Sequence, residues 1–309
     1  MAVPRTRTDR VTISGVIAVL FAAASWASSG IFINLILASG PISSLHLAFW
    51  RDTAAFALFL ILSLTINPRH LKIKREDAIW LVGMGVILGV FHVVLNFAFQ
   101  LNGVSITTIQ QAAMPAIVLV AARLIWNEPF NTTKIFSLIV ISIGTVLVSG
   151  LLQPDQPDVT AGGIAVGFIV PALYACWSLF GKALRSGYSA LTTLTWAFGV
   201  AAMVLLPCQL YKGAFLLPPM PLISYLWFTG LICIATAAGF LAFIFALGRL
   251  PASVATILIM TEIVFAVAYA YTIFDETLTT IDIVGAILIM TGVVLTAVHQ
   301  DKIVVPPDN

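Results

Sequence analysis

Ten apolar segments, each about 20 residues long, follow one another along this chain with only short polar breaks between them. They cover 13–34, 43–66, 78–100, 104–124, 134–152, 162–181, 190–210, 222–246, 252–273 and 280–298. A helix needs about 20 mostly apolar residues to cross the hydrocarbon core of a bilayer. The pattern therefore predicts an all-α membrane protein with ten transmembrane helices. Composition agrees: 60% of the 309 residues are hydrophobic and 9% are charged, whereas a soluble domain carries about 25% charged residues. The surplus apolar surface has to face lipid. The breaks are too short to fold as separate domains, so the chemistry is expected inside the membrane.

Several functions are excluded or disfavoured by what the segments lack. There is no basic tract to suggest nucleic acid as a partner. Cys176, Cys208 and Cys233 lie in apolar runs without CxxC spacing, which points to free thiols rather than a disulfide framework or a zinc site. No GxxxxGK[ST] stretch is present to cradle a nucleotide phosphate, and no HExxH or His/Cys cluster to hold a metal. No cofactor is expected.

Arg5, Arg7 and Arg10 ahead of the first apolar run also describe a signal peptide. The length of that run and its match to a later helix argue for a retained first span. With the N-terminus in the cytoplasm, all but two of the 15 Lys and Arg residues fall on the cytoplasmic side, the C-terminal tail included. The exceptions are Lys212, in an outer loop, and Arg51, within the second span.

Shifting the sequence by 148 residues lays its second half on its first. "WASSGIF" (26–32) falls on "YACWSLF" (174–180), Glu128 on Glu276, and "GTVLVS" (144–149) on "GVVLTA" (292–297). Trp80 and Gly83 meet Trp227 and Gly230 after a one-residue slip. The domain reading is a first five-helix repeat at 1–152, a second at 153–300, and a cytoplasmic tail at 301–309. Five spans per repeat force the second to sit upside down relative to the first. Inverted repeats of this kind build transporters, with the substrate held near the midplane where the repeats meet.

These features resemble the EamA-type members of the drug/metabolite transporter superfamily. The residues that carry the likeness are "SWASSG" and "LYACWS" early in each half, "FWRD" in the second helix, and "WNEP" and "FDET" after the fourth and ninth. A Gly-containing closing helix ends each half, with Gly144 in the first and Gly285 and Gly292 in the second. The ninth helix departs from the family pattern, since "TEIVFAV" has Ile263 where proline is usual; the first half keeps its proline, Pro115 in "MPAIVLV". The resemblance implies a multi-pass protein of the bacterial plasma membrane. It would move a small polar metabolite, an amino acid or related compound, by alternating access without ATP hydrolysis, most naturally as export. Protons are a candidate coupling ion. An integral-membrane enzyme or a scaffold without transport activity is the competing reading.

Ionisable and polar groups inside spans are the first candidates for the substrate site. Glu262 sits near the middle of the ninth span, as a contact for a substrate amine, a proton carrier, or a packing hydrogen bond. Ile263 leaves the helix its backbone donor, so the sequence gives no proline-driven break there. His92 and Asn96 share one helix face, with Gln100 continuing the stripe. Gln110 and Gln111 enter the fourth helix just before Pro115, which frees a backbone carbonyl and makes a hinge or a static kink. Trp26, its repeat mate Tyr174, and Trp177 are aromatics within spans, suited to stacking on a substrate or to ordinary core packing. Arg51 and Asp52 stand together in the second span, where two charges cost about 5–7 kcal/mol on the insertion scale. Neighbouring helix residues point about 100° apart, so the pair is expected to need partners on other helices and to act as a brace or gate. The glycines at 85 and 89, and at 144, 285 and 292, are expected to pack helices closely or to support dimerisation through the fifth and tenth helices.

Overall fold

A computed structural model describes residues 12–40, 42–149, 160–212, 220–274 and 279–299. Arg5, Arg7, Arg10, Glu276 and the tail 301–309 lie outside these residues. Among those described, the elements are helices and short connections, without a strand. Nine are long and apolar enough to span a membrane: α1 (Ile13–Ser39), α2 (Ser44–Ile66), α3 (Ala78–Asn102), α4 (Ile106–Trp126), α6 (Ala161–Leu184), α7 (Ala190–Tyr211), α8 (Leu222–Leu247), α9 (Ala252–Ile273) and α10 (Thr280–Val298). The shorter apolar helix α5 (Thr132–Val148) completes the ten. Two boundaries differ from the sequence reading. α1 continues to Ser39, and α3 joins α4 through helical backbone, unbroken from Ala78 to Gln111, where "LNGVS" was expected to loop.

The internal repeat is visible in local contacts as well as in the alignment. The Thr12 hydroxyl accepts the Gly15 N–H at 3.2 Å, and 148 residues later the Thr160 hydroxyl accepts the Gly163 N–H at 3.0 Å. Asn131 and Thr279, also 148 apart, cap α5 and α10 by accepting from the N–H groups of Lys134 and Asp282. A Cβ placed on Gly15 would meet the Leu250 side chain at 2.7 Å; its repeat mate Gly163 lies against Asn102, the mate of Leu250. Each contact is thus the image of another under a two-fold relation.

That relation passes between α5 and α10. A Cβ on Gly144 would stand 2.6 Å from the Gly285 carbonyl, and one on Gly292 would stand 2.8 Å from the carbonyl of Ser137, the mate of Gly285. The glycines of both helices therefore serve close packing within one chain. Gly85 and Gly89 do the same for α3 on α7, against the carbonyls of Ala197 and Ala201. Large apolar side chains such as Leu124, Phe136, Ile143, Leu222 and Ile287 cover the outside, as lipid contact requires.

α4 and α9 are both broken, at corresponding places. Ala112 and Ala113 form a turn before the helix resumes at Met114, and Ile259 and Met260 form one before it resumes at Thr261. Pro115 occupies the first turn of the resumed α4, where a missing N–H costs nothing. The α9 break, not expected from Ile263, needs no proline. The N–H groups of Met260, Glu262 and Ile263 shift to carbonyls three residues back, at 3.2, 2.9 and 3.2 Å. This tighter bonding ends one helical segment and starts the next. Broken helices at matching positions of two repeats are the usual frame of a midplane binding site.

Candidate functional site

A cavity of about 590 Å³ lies where the two repeats meet. Its wall takes residues from α1, α2, α3 and α4 of the first repeat and from α6, α8 and α9 of the second. Trp26, Arg51, His92, Asn96, Gln111, Tyr174, Trp177 and Glu262 all line it. The sequence reading named these eight residues from positions as far apart as 26 and 262.

Three expected residues lie elsewhere. Gln110 is buried away from the cavity, where its amide donates to the Ile164 carbonyl at 3.1 Å and its oxygen accepts from Asn102 at 3.1 Å. The periodicity of α4 explains this: adjacent glutamines point about 100° apart, so one faces the cavity and the other faces α6. Asp52 is fully buried behind the wall, and Pro115 is buried in the resumed turn of α4.

The second-span charges depart from expectation in one respect. Arg51 and Asp52 do meet, with Arg51 Nε 3.4 Å from Asp52 Oδ1. The arginine stem is long enough to fold back toward its neighbour despite the angle between them. Their other partner is on α3. His92 Nδ1 lies 2.7 Å from Asp52 Oδ2, and His92 Nε2 lies 2.6 Å from Arg51 Nη2. The Asn96 amide donates to the His92 carbonyl at 2.7 Å, which holds that side chain along the cavity stripe.

Glu262 is in the first turn of the resumed α9. The positive end of the helix dipole favours a carboxylate there by roughly 0.3–1 kcal/mol. Its side chain lines the cavity and makes no hydrogen bond or ion pair with another described residue.

The aromatic wall is one continuous cluster. Trp26 contacts Tyr174, Phe240 and Phe243 at ring separations of 6.0, 5.0 and 5.1 Å, and Trp177 stacks on Phe243 at 5.9 Å. Pairs of this kind contribute about 0.5–1.5 kcal/mol each beyond burial. Trp26, Tyr174 and Trp177 therefore serve packing and the cavity at once. Thr236, on the cavity side of a π-helical stretch Leu231–Ala238 in α8, was not singled out from the sequence, nor were Ser29 and Thr108. Asn34 was missed too, although a polar residue late in an apolar span was a usable signal.

The cavity opens toward the face opposite the N-terminus. Asn34 and Leu37 near the end of α1, Ser44 at the start of α2, Gln100 near the end of α3 and Thr108 at the start of α4 all belong to that side. The N-terminal face is shut. There the Glu128 carboxylate accepts the N–H groups of Ala252 and Ser253 at 2.7 and 3.2 Å, and the Ser253 hydroxyl donates to it as well. Lys134 reaches the Ser253 hydroxyl at 2.9 Å, and Lys182 donates to the Leu250 carbonyl at 2.6 Å. Glu128, Lys134, Lys182 and Ser253 are all buried. Loop and helix ends from both repeats are thereby latched together beneath the cavity.

Ten apolar helices in two inverted repeats, around a largely aromatic and apolar cavity that carries a few polar groups and is closed at one end, define a multi-pass membrane protein of the transporter class. The EamA-like transporter family model matches the chain twice, over residues 13–150 and 161–298, and the chain belongs to that family. An uncharacterized transporter of Archaeoglobus fulgidus is 24% identical over 254 residues, spanning 82% of this chain and 87% of that protein. An uncharacterized inner membrane transporter of Salmonella typhimurium, YicL, is 24% identical over 299 residues, spanning 94% and 97%. A solved crystal structure shares the fold with a TM-score of 0.78 at 14% identity, covering 94% of this chain and 98% of its own.

Proposed function

We propose that this protein is a secondary transporter that moves a small polar metabolite, an amino acid or related compound, through the cavity by alternating access. The observation that carries this reading is the wall itself: the Arg51 guanidinium and the Glu262 carboxyl group line one cavity between the repeats. A zwitterion matches such a wall, its carboxylate toward Arg51 and its ammonium toward Glu262. The aromatic cluster supplies apolar surface for a side chain. The inverted repeats support alternating access, since exchanging the conformations of the two repeats would turn an outward-open state into an inward-open one.

The distribution of basic residues supports a reading in which both termini lie in the cytoplasm; on that reading the conformation described is open outward. We further propose that it works in a bacterial inner membrane and in the export direction, a reading that the family resemblance supports. The test is uptake of a panel of radiolabelled amino acids into proteoliposomes by counterflow. Saturable flux, with the affinity for aminated substrates lowered in Glu262→Gln, supports the proposal. Chemical turnover of a substrate without flux would support a membrane enzyme instead.

A further inference from the structure

The three side chains Arg51, His92 and Asp52 fix one another's protonation. A guanidinium has only donors, so the His92 Nε2 atom 2.6 Å away must present its lone pair. An ionised carboxylate only accepts, so the hydrogen of the ring is on Nδ1, facing Asp52 at 2.7 Å. His92 is thereby a neutral imidazole, and the three groups sum to zero charge. Asp52 is 0% and His92 3% exposed, whereas the Arg51 side chain keeps 16% and lines the cavity.

We propose that Arg51, His92 and Asp52 form a linked proton-and-anion site that takes one proton together with a carboxylate-bearing substrate. The proton adds to the Nε2 lone pair of His92, and the hydrogen bond from Arg51 to that atom is lost. Asp52 keeps its bond to Nδ1–H and neutralises the imidazolium. The Arg51 guanidinium, freed at Nη2 while its Nε stays beside Asp52 Oδ1, turns that end into the cavity and binds the substrate carboxylate. No electrons move, and the proton comes from cavity water. The inference rests on the transport reading of the same cavity and adds to it a substrate charge and a coupling ion.

Charge balance is what joins the two ligands. The empty site is neutral, and the site holding one proton and one carboxylate is neutral again. Either ligand alone leaves a net charge in the middle of a span, where insertion scales put the cost at about 2.5–3.5 kcal/mol. Each ligand therefore raises the affinity for the other by the same factor, and flux of a substrate with one net negative charge is electroneutral.

Other titratable groups near His92 are few. α6 contributes Tyr174, separated from it by Phe91, whose ring lies 5.5 Å from both. α9 contributes Glu262 across the cavity. α7 contributes Cys208, held in the apolar cluster of Phe49, Leu205 and Val93. From α5, Lys134 is engaged at the closed face. On α2 itself, His46 is buried with Nδ1 2.7 Å from Gln209 Oε1, outside the cavity wall. Among the described residues lining the cavity, Glu262 is the rival for the proton, so the test has to separate it from His92.

The test uses the full-length protein in lipid nanodiscs, with L-glutamate, L-malate and L-lactate as probes and thermal stability as the readout across a pH series. At least one probe is expected to stabilise the protein, with its dissociation constant rising about tenfold per pH unit above the titration of His92. Arg51→Gln should abolish that stabilisation, His92→Gln should flatten the pH slope, and Glu262→Gln should keep the slope. Nitrogen-15 spectra of the histidine ring give a second readout on the unmutated protein: Nδ1 protonated and Nε2 bare without a probe, both protonated with it. Stabilisation without a pH slope, a slope that survives in His92→Gln or disappears in Glu262→Gln, or an Nε2–H tautomer in the free protein would overturn the proposal. So would failure of all three probes. Saturable flux of an uncharged or purely cationic metabolite would overturn it while leaving transport through the cavity intact.

Discussion

Replacing Glu128 with alanine removes the carboxylate that latches the N-terminal face. Three donors meet that carboxylate in a buried setting: the N–H groups of Ala252 and Ser253 and the Ser253 hydroxyl. Hydrogen bonds to a charged acceptor contribute about 1.5–3 kcal/mol each, and a buried N–H left without an acceptor costs about 1–3 kcal/mol. The contributions are not additive, and the Ser253 hydroxyl still has Lys134 beside it. A total of about 3–5 kcal/mol is expected, all of it borne by the closed arrangement, because opening the face lets water take the freed donors. At 1.4 kcal/mol per tenfold change, even the low end moves the closed-to-open ratio by about 100-fold. A cysteine at Ala255, fully buried in the first segment of α9, reports this opening. In a background with Cys176, Cys208 and Cys233 replaced, its rate of labelling by a polar maleimide should rise about 100-fold in Glu128→Ala. Glu128→Gln, which keeps one acceptor, should fall between. A labelling rate within about twofold of the parent, in protein that still unfolds cooperatively, would refute the assignment of a latch.

Other substitutions test the remaining parts of the account. Gly285→Leu should drive α5 and α10 apart, since even a Cβ there would stand 2.7 Å from the Gly144 carbonyl; thermal unfolding should show a loss of at least the roughly 1–3 kcal/mol typical of overpacking. Trp26→Ala should cost about 3–5 kcal/mol by the same measurement and weaken substrate binding, while Trp26→Phe keeps most of both. Arg51→Met leaves Asp52 buried and facing a neutral histidine, so it should lower both the yield of folded protein and flux; wild-type values of both would exclude a brace and a cavity role together.

Much of the fold was legible because a bilayer permits so few solutions. Ten apolar runs fix ten helices, and an odd number per repeat fixes the inversion. The repeat also foretold contacts, as in Gly15 against Leu250 and Gly163 against Asn102. Where the sequence reading fell short, the cause was local geometry. The α9 break arises from hydrogen bonds shifting by one residue around Met260, which leaves no mark of the kind proline leaves. Gln110 and Gln111 are equally polar, and only the helical phase of α4 relative to α6 decides that the second faces the cavity. Arg51 and Asp52 announced a partner on another helix by their cost alone, and His92 was already in view, but the flexible arginine stem concealed their contact with each other. The latch was less visible still. Glu128 read as a family feature at a helix end, and its partners Ala252 and Ser253 carry no sequence signal for a carboxylate.

The central claim is that substrate passes through the cavity between the repeats. Asn34 lines it, is exposed there, and belongs to the open side. The most direct test is counterflow in proteoliposomes of an Asn34→Cys protein lacking its native cysteines, before and after reaction with a bulky maleimide from the side on which the cavity opens. Saturable flux that stops on labelling, and is protected by the transported metabolite, is the predicted result. Flux that continues unchanged through fully labelled protein would contradict the claim.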